Sequence, residues 1–354
     1  MADIRDFYNA KNIVALWEQL KGTNYVKPLA KWFPYMSTND IDVTMAVGYE
    51  RQNVSLDLCA YDTNSRIRGL QPISTHKHEI PMFKNSVIFS EKDRREVLRS
   101  VKLANSDVAI ATALSSHMQN VVDILLNGAD VIGERYRSQL LQHGAITVSS
   151  PASHVSPSSV SINYDVKGQW RKNNLKKWTT KPSEISGTGG LLNDISDLFQ
   201  SYIKKNGQTP CTMIMNGTTF INLCQDEDVQ EAIVKSSYAL SAQDIVSRVM
   251  GIPTTFLIDN ETFRPDVDEN EVSYWENDVI SVVPNRPLGH VLCGLTPTQY
   301  DELYSETKRD VQSSSENFCI QCRHRDDPIQ TEAIGSVCML PQFDEMDKCF
   351  VIRG

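Results

Sequence analysis

One stretch dominates what this chain can fold into. From Glu91 to Ser150 there is no proline, and apolar residues recur at Val97, Val101, Ala104, Val108, Ala111, Leu114, Met118, Val121 and Leu125. Spacings of three and four residues, sustained over so many turns, put one apolar face on a helix. Ser90 stands where an N-cap belongs, with Glu91, Asp93 and Glu96 near the positive end of the helix dipole. Gly144 is placed to end the helix, while Gly128 and Gly133 are points where it could kink or divide. At 1.5 Å per residue, about 40 residues reach roughly 60 Å. That is longer than a small domain is wide, so the helix acts as a spine with other elements laid across it.

The flanks are of a different kind. Ile4, Phe7, Ile13, Leu16, Trp17 and Leu20 follow a short helical pattern that Gly22 can stop. Pro28, Trp32, Phe33 and Pro34 then form a proline-broken aromatic stretch in which helix is disfavoured. A segment of that composition is expected to dock on a neighbour in place of its own core. Ile41, Val43, Met45 and Val47 alternate with polar or small residues, as a strand does, and Val54, Leu56 and Leu58 do likewise. Between Asp62 and Lys84 periodicity fades into a long loop or hairpin, and loops of that length usually carry a function. Beyond the spine, 145–182 reads as strands and loops and 189–258 as α/β. The run 259–278 holds eight acidic residues against Arg264 alone and reads as a solvated hairpin or loop. Val279 to Val283 is a buried strand, and Ile334 to Leu340 and Cys349 to Ile352 are further strands.

Composition bounds the function. The 354 residues exceed what one hydrophobic core usually serves, so two lobes are expected. The chain carries 35 basic and 44 acidic residues, a net charge of −9. A general basic surface for gripping DNA is not expected, though a wall that faces packaged DNA without holding it tightly tolerates that charge. Met1 to Tyr8 lacks the apolar core of a signal peptide, and no run of about 18 apolar residues could span a membrane. Eight scattered cysteines without a leader read as a reduced cytoplasmic chain.

Few constellations carry chemistry. Cys319 and Cys322 with His324 invite a metal or redox reading, but a structural zinc site needs four ligands, so incidental thiols are preferred. His76, Lys77, His78 and Glu79 resemble half a metal site with nothing to complete it, and are read as a solvated loop. Gly187-Thr188-Gly189-Gly190 lacks the Lys-Ser/Thr of a phosphate loop and reads as a hinge. Trp170, Arg171, Lys172, Lys176, Lys177, Trp178 and Lys181 suit either nucleic acid or an acidic surface across an interface, for which 259–278 is a candidate; the interface is preferred. Asp266, Asp268, Glu269 and Glu271 lack the glycine of a calcium loop. No Gly-x-Ser-x-Gly elbow occurs, and no catalytic triad can be grouped. No enzyme activity and no cofactor are expected.

Four stretches in order carry a resemblance: PLAKWFP at 28–34, AYDTNSRIRG at 60–69 with EIPMFKNSVIFSEKDRREVL at 79–98, MIMNGTTFINLCQDEDVQEAI at 213–233, and DVISVVPNRPLGHVLCGLTPTQYDEL at 278–303. The last is the most specific, with Pro284, Pro287, Leu288, Gly289, Gly294, Thr296 and Pro297 at the motif positions. Together they resemble the tailed-phage major capsid proteins of the lambda-type capsid protein E family. One departure is Thr298-Gln299, where an acidic residue often follows the proline; a weakened helix cap is expected there.

The resemblance implies an α+β, HK-ninety-seven-like fold. It would have an N-terminal arm (1–45), an extended loop (46–90), a peripheral domain with the spine helix (91–186), an α/β axial domain (187–290), and a return to the peripheral domain (291–354). It implies a coat subunit assembling as hexamers and pentamers into an icosahedral virion shell in the host cytoplasm. Partners would be a separate scaffold protein, a portal, a decoration protein and packaged DNA held by non-specific contact, with no membrane. Trp17, Trp32, Phe33 and Phe83 are the expected anchors on neighbouring subunits. Gly187, Gly189 and Gly190 are the expected hinge. Two other readings are the shell of an encapsulin-type nanocompartment and a thiol- or metal-dependent cytoplasmic enzyme built on Cys319, Cys322 and His324.

Overall fold

The computed structural model describes residues 8–24, 27–40, 42–47, 74–103, 107–150, 158–165, 171–173, 191–225, 230, 234, 241–250, 252–266, 269–304 and 309–354. Its helices are α1 (Ala10–Asn24), α2 (Glu91–Leu103), α3 (Asp107–His143), α4 (Leu191–Asn206), α5 (Gly217–Gln225), α6 (Ala242–Met250) and α7 (Pro297–Tyr304). Its strands are β1 (Tyr35–Ser37), β2 (Asp42–Val47), β3 (Ser74–Glu79), β4 (Met82–Phe89), β5 (Ala145–Ser149), β6 (Ser159–Asn163), β7 (Arg171–Asn173), β8 (Cys211–Met215), β9 (Thr254–Ile258), β10 (Thr262–Phe263), β11 (Val272–Ser273), β12 (Val279–Pro284), β13 (Gly289–Gly294), β14 (Asp310–Ser313), β15 (Cys319–Asp326), β16 (Ile329–Phe343) and β17 (Phe350–Arg353).

The expected spine is present as α2 and the 37-residue α3. Ser90 caps α2 as foreseen. Its Oγ donates to Asp93 at 2.7 Å, and the Asp93 carboxylate also accepts the Ser90 N–H at 2.9 Å. This reciprocal box satisfies donors that a bare helix start would leave orphaned. α3 runs through Gly128 and Gly133 without a break. Gly133 serves another purpose: a Cβ there would collide with the Tyr35 hydroxyl. Gly144 ends the helix with φ +61°, a backbone shape that favours glycine.

The chain forms two compact units. The first comprises Met1–Val43, Glu79–Arg137 and Gly289–Gln342; the second comprises Thr44–His78, Ser138–Leu288 and Phe343–Gly354. The units are built of segments discontinuous in sequence; described residues 138–150 and the final strand both belong to the second unit. The reason is register: β17 is apolar on both faces and pairs with β12 from Val279↔Arg353 to Val282↔Phe350, in the second unit's sheet.

In the first unit six strands follow the order β1-β13-β16-β15-β14, with β4 on β16. β1 lies parallel to β13, Tyr35 opposite Val291. β15 and β16 form a hairpin from Asp326↔Ile329 to Cys319↔Ser336. α1 packs on β14 and β15. In the second unit the order is β7-β17-β12-β8-β9. Every residue of β8 and β12 is buried, the signature of strands covered on both faces. α4 covers this sheet with Ile195, Leu198, Phe199 and Tyr202, spaced as one helical face, over a core that includes Met213, Met215, Ile280, Val282 and Ile352. The last turn of α3 is also tied down here. Ser281 Oγ donates to Leu141 O at 2.6 Å, and buried Gln142 donates to Tyr274 O and accepts from Glu276 N, both at 2.8 Å.

Candidate assembly surfaces

The arm is the first segment to consider, because four anchors were expected from it and the loop that follows. Trp17 and Trp32 are 2% exposed and Phe33 is fully buried, all within the chain itself. Side chains already removed from water have no area left to bury on a neighbour, so these three are core residues and not interface anchors. The Trp17 ring meets Phe318 at 5.4 Å, and Tyr35 meets the same ring edge-on at 5.4 Å. Phe83 is half-buried, edge-on to Tyr136 at 6.1 Å.

A buried polar cluster holds the arm in place. Arg137, on the apolar face of α3, donates from Nε to Phe33 O at 2.9 Å and from Nη1 to Glu134 at 3.1 Å. Glu134 accepts the Leu29 N–H at 3.0 Å, and the Tyr35 hydroxyl donates to Asp130 at 3.0 Å. The Arg137 guanidinium sits 4.4 Å from the centre of the Tyr35 ring. Lys21 pairs with Glu316 and covers Trp17 at 4.6 Å. Burial pushes the carboxyls of Asp130 and Glu134 above their ordinary range, against the pull of the nearby cations. The cluster was legible in principle. Positions 130, 134 and 137 recur at helical spacing on a buried stripe, where charge must find partners.

The motif residues of 278–303 are structural. Leu288 is 1% exposed, and its carbonyl accepts the N–H groups of Asp344 and Glu345, each at 3.0 Å. Gly289 N donates to Trp32 O at 3.3 Å, joining β13 to the arm. A Cβ on Gly294 would press on Ile80 at 3.1 Å and on Asp40 O at 3.3 Å. Pro284 closes β12 and Pro287 precedes β13. Thr296 caps α7, with Pro297 in its first turn, and the weakened cap expected there is absent. Gln299 accepts from Thr296 N at 2.7 Å and from its hydroxyl at 2.8 Å, completing a capping box with glutamine in place of the acid.

The thiol cluster does not assemble. Cys319 and Cys322 lie three apart on β15, so the strand's two-residue period turns them to opposite faces. His324 is exposed, with Nδ1 3.0 Å from the Thr331 hydroxyl. Burial pushes the Cys322 thiol up to about 12 and raises that of Cys319 as well. Among the described residues no three His, Cys, Asp or Glu groups converge on a metal position. The acidic run contains the hairpin β10–β11, closed by Arg264 and Glu271 at 2.8 Å. Gly187, Gly189 and Gly190 lie outside the described residues, as do Trp170 and residues 174–181 of the basic stretch. Among the described residues no helix is long and apolar enough to cross a membrane.

The described surface carries several exposed large apolar side chains. In the first unit Tyr300, Leu303 and Tyr304 share one face of α7, with Leu303 66% and Tyr304 74% exposed. Ile88 and Ile329 are 52% and 43% exposed. In the second unit Ile221 of α5 is 54% exposed. Single exposed apolar residues are ordinary; an aromatic helix face is the mark of a surface that gets covered.

In fold, the chain is similar to a prophage protein of Escherichia coli CFT073 assigned to the capsid. The TM-score is 0.59 at 11% sequence identity, over 98% of this chain and 98% of that one. It is also similar to a phage-related protein from Bordetella bronchiseptica RB50, with a TM-score of 0.53 at 10% identity, over 96% and 95%. No protein-family model and no curated protein sequence matches it. At such identity the likeness speaks for fold alone: the α+β fold of this chain is similar to that of these two proteins.

Proposed function

We propose that this chain is the major capsid protein of a tailed bacteriophage, assembling as hexamers and pentamers into an icosahedral shell around double-stranded DNA. The observation that carries the reading is a capsid fold matched over essentially the whole chain. The exposed face of α7 adds a physical motive, since it gains from being covered. The protein's work is interface burial summed over many copies, with no bond made or broken. At about 25 cal/mol per Å² of apolar area, even modest contacts add up around a closed ring. A scaffold protein, a portal and a decoration protein are its proposed partners, the virion its place, and the host cytoplasm its site of assembly.

The test is to express the chain with its scaffold protein and image the product by negative-stain electron microscopy. Closed shells of uniform size are expected. Folded subunits that stay monomeric with and without scaffold would sink the reading.

A further inference from the structure

Copies that each carry a net charge of −9 repel one another, so assembly requires opposite charges to be set face to face. The chain segregates its charge in a way that supplies this. On α2, Lys92, Arg95 and Arg99 are all exposed and follow one another at spacings of three and four residues, a single helical row. Among the described residues none of the three has an ion-pair partner. The acids of the same turn are occupied: Asp93 is held in the Ser90 cap, and Glu91 accepts the Ile329 N–H at 3.0 Å; Glu96 is exposed within the row. That last bond also places exposed Ile329 beside the start of α2, where exposed Ile88 lies two residues before the cap. The patch is therefore cationic with an apolar margin.

The surface of opposite charge is the β10–β11 hairpin. Its root is fixed, with Phe263 against Tyr274 at 4.7 Å and buried Trp275 donating to Val279 O at 3.0 Å. From this root Glu261 and Glu269 stand exposed beside exposed Val272, and exposed Glu271 holds Arg264 at 2.8 Å.

We propose that the Lys92–Arg95–Arg99 row, with Ile88 and Ile329, receives the acidic β10–β11 hairpin of a second copy of this chain. The apolar margin favours a protein partner over DNA, since phosphates gain nothing from two exposed isoleucines. The proposal rests on the capsid reading and names one contact within it. Because the two patches differ, the contact is heterologous, the kind that propagates into rings.

Charge reversal tests it on the full chain. The triple variants Lys92→Glu/Arg95→Glu/Arg99→Glu and Glu261→Lys/Glu269→Lys/Glu271→Lys are each expected to stay folded, with the wild-type circular dichroism spectrum. Each should lose at least about tenfold in yield of assembled particles, and all six changes in one chain should restore it. Sedimentation of the wild-type chain should show self-association that weakens as salt rises, a readout that stands even where no shell forms. Normal assembly of either triple variant overturns the proposal, as does failure of the six-fold variant to recover. A Lys92/Arg95/Arg99 variant that forms normal shells but packages less DNA assigns the row to DNA instead. Wild-type chain that forms no shell with its scaffold, by contrast, counts against the capsid reading itself.

Discussion

Arg137 is the residue on which the arm depends. Its guanidinium binds Phe33 O and Glu134, and Glu134 in turn holds Leu29 N. Removing one member of a buried charge pair strands the other, which typically costs about 3–5 kcal/mol. Arg137→Met is expected to lower unfolding free energy by that order, read by denaturant titration of the subunit; a change below about 1 kcal/mol would show the cluster to be ornamental. Asp130 behaves differently, because desolvation outweighs the nearby cations and raises its pKa from 3.8. A carboxyl raised on folding stabilises the fold below its unfolded pKa and loses that contribution as pH climbs through the folded value. Glu134 is raised in the same direction from 4.5. Stability contributed by the pair therefore falls with rising pH across the window that opens above those values. Asp130→Asn keeps an acceptor for the Tyr35 hydroxyl and removes the charge. Its melting temperature should vary less than wild type's between about pH 4 and about pH 7 and be higher at the upper end. Parallel curves for the two proteins would refute this.

At the scale of elements, the arm changes its meaning. α1 brings Ile13 and Trp17, and the segment 28–34 brings Leu29 and Phe33, into the first unit's core, and β1 pairs with β13. Deleting residues 1–34 takes these away together, and each large apolar core side chain is worth about 2–5 kcal/mol. A native subunit has only about 5–15 kcal/mol in reserve. The truncated chain is expected to be insoluble or unfolded by circular dichroism. A soluble subunit with an unchanged spectrum would return the arm to the role the sequence suggested. The capping boxes at Ser90 and Thr296 were more transparent. Each needs only residues three apart, so local sequence contains the whole interaction, although Gln299 had to be seen at the cap before its amide could stand in for a carboxylate.

For the whole molecule, charge and exposure point the same way. A chain at −9 that leaves Leu303 and Tyr304 largely exposed is poorly suited to remain alone, and its charge is sorted into a basic row and an acidic hairpin. Shell formation, and its reversal and rescue by charge exchange, are predictions at this scale because they depend on copies meeting. The division into units was only partly legible. Two lobes followed from length, but the chain passes between them at 43, 78, 137, 288 and 342. A contiguous reading of domains could not show that the last strand completes the second unit's sheet.

The amino-acid order by itself determined what repeats locally. The proline-free periodicity made the spine, Gly144 ended it, short runs of mostly apolar residues made the buried strands β8 and β12, and the acidic run made a hairpin. These depend on neighbours within a few residues, whose spacing the chain carries openly. Only the tertiary structure decided where the aromatics of the arm go, which faces Cys319 and Cys322 occupy, and why Gly133 must be small. The partners in the arm, Phe318 for Trp17 and Arg137 for Phe33, lie more than a hundred residues away, and an apolar side chain is drawn to any dry surface within reach. Hydrophobicity specifies burial without specifying the partner, and that choice is made when the whole chain closes.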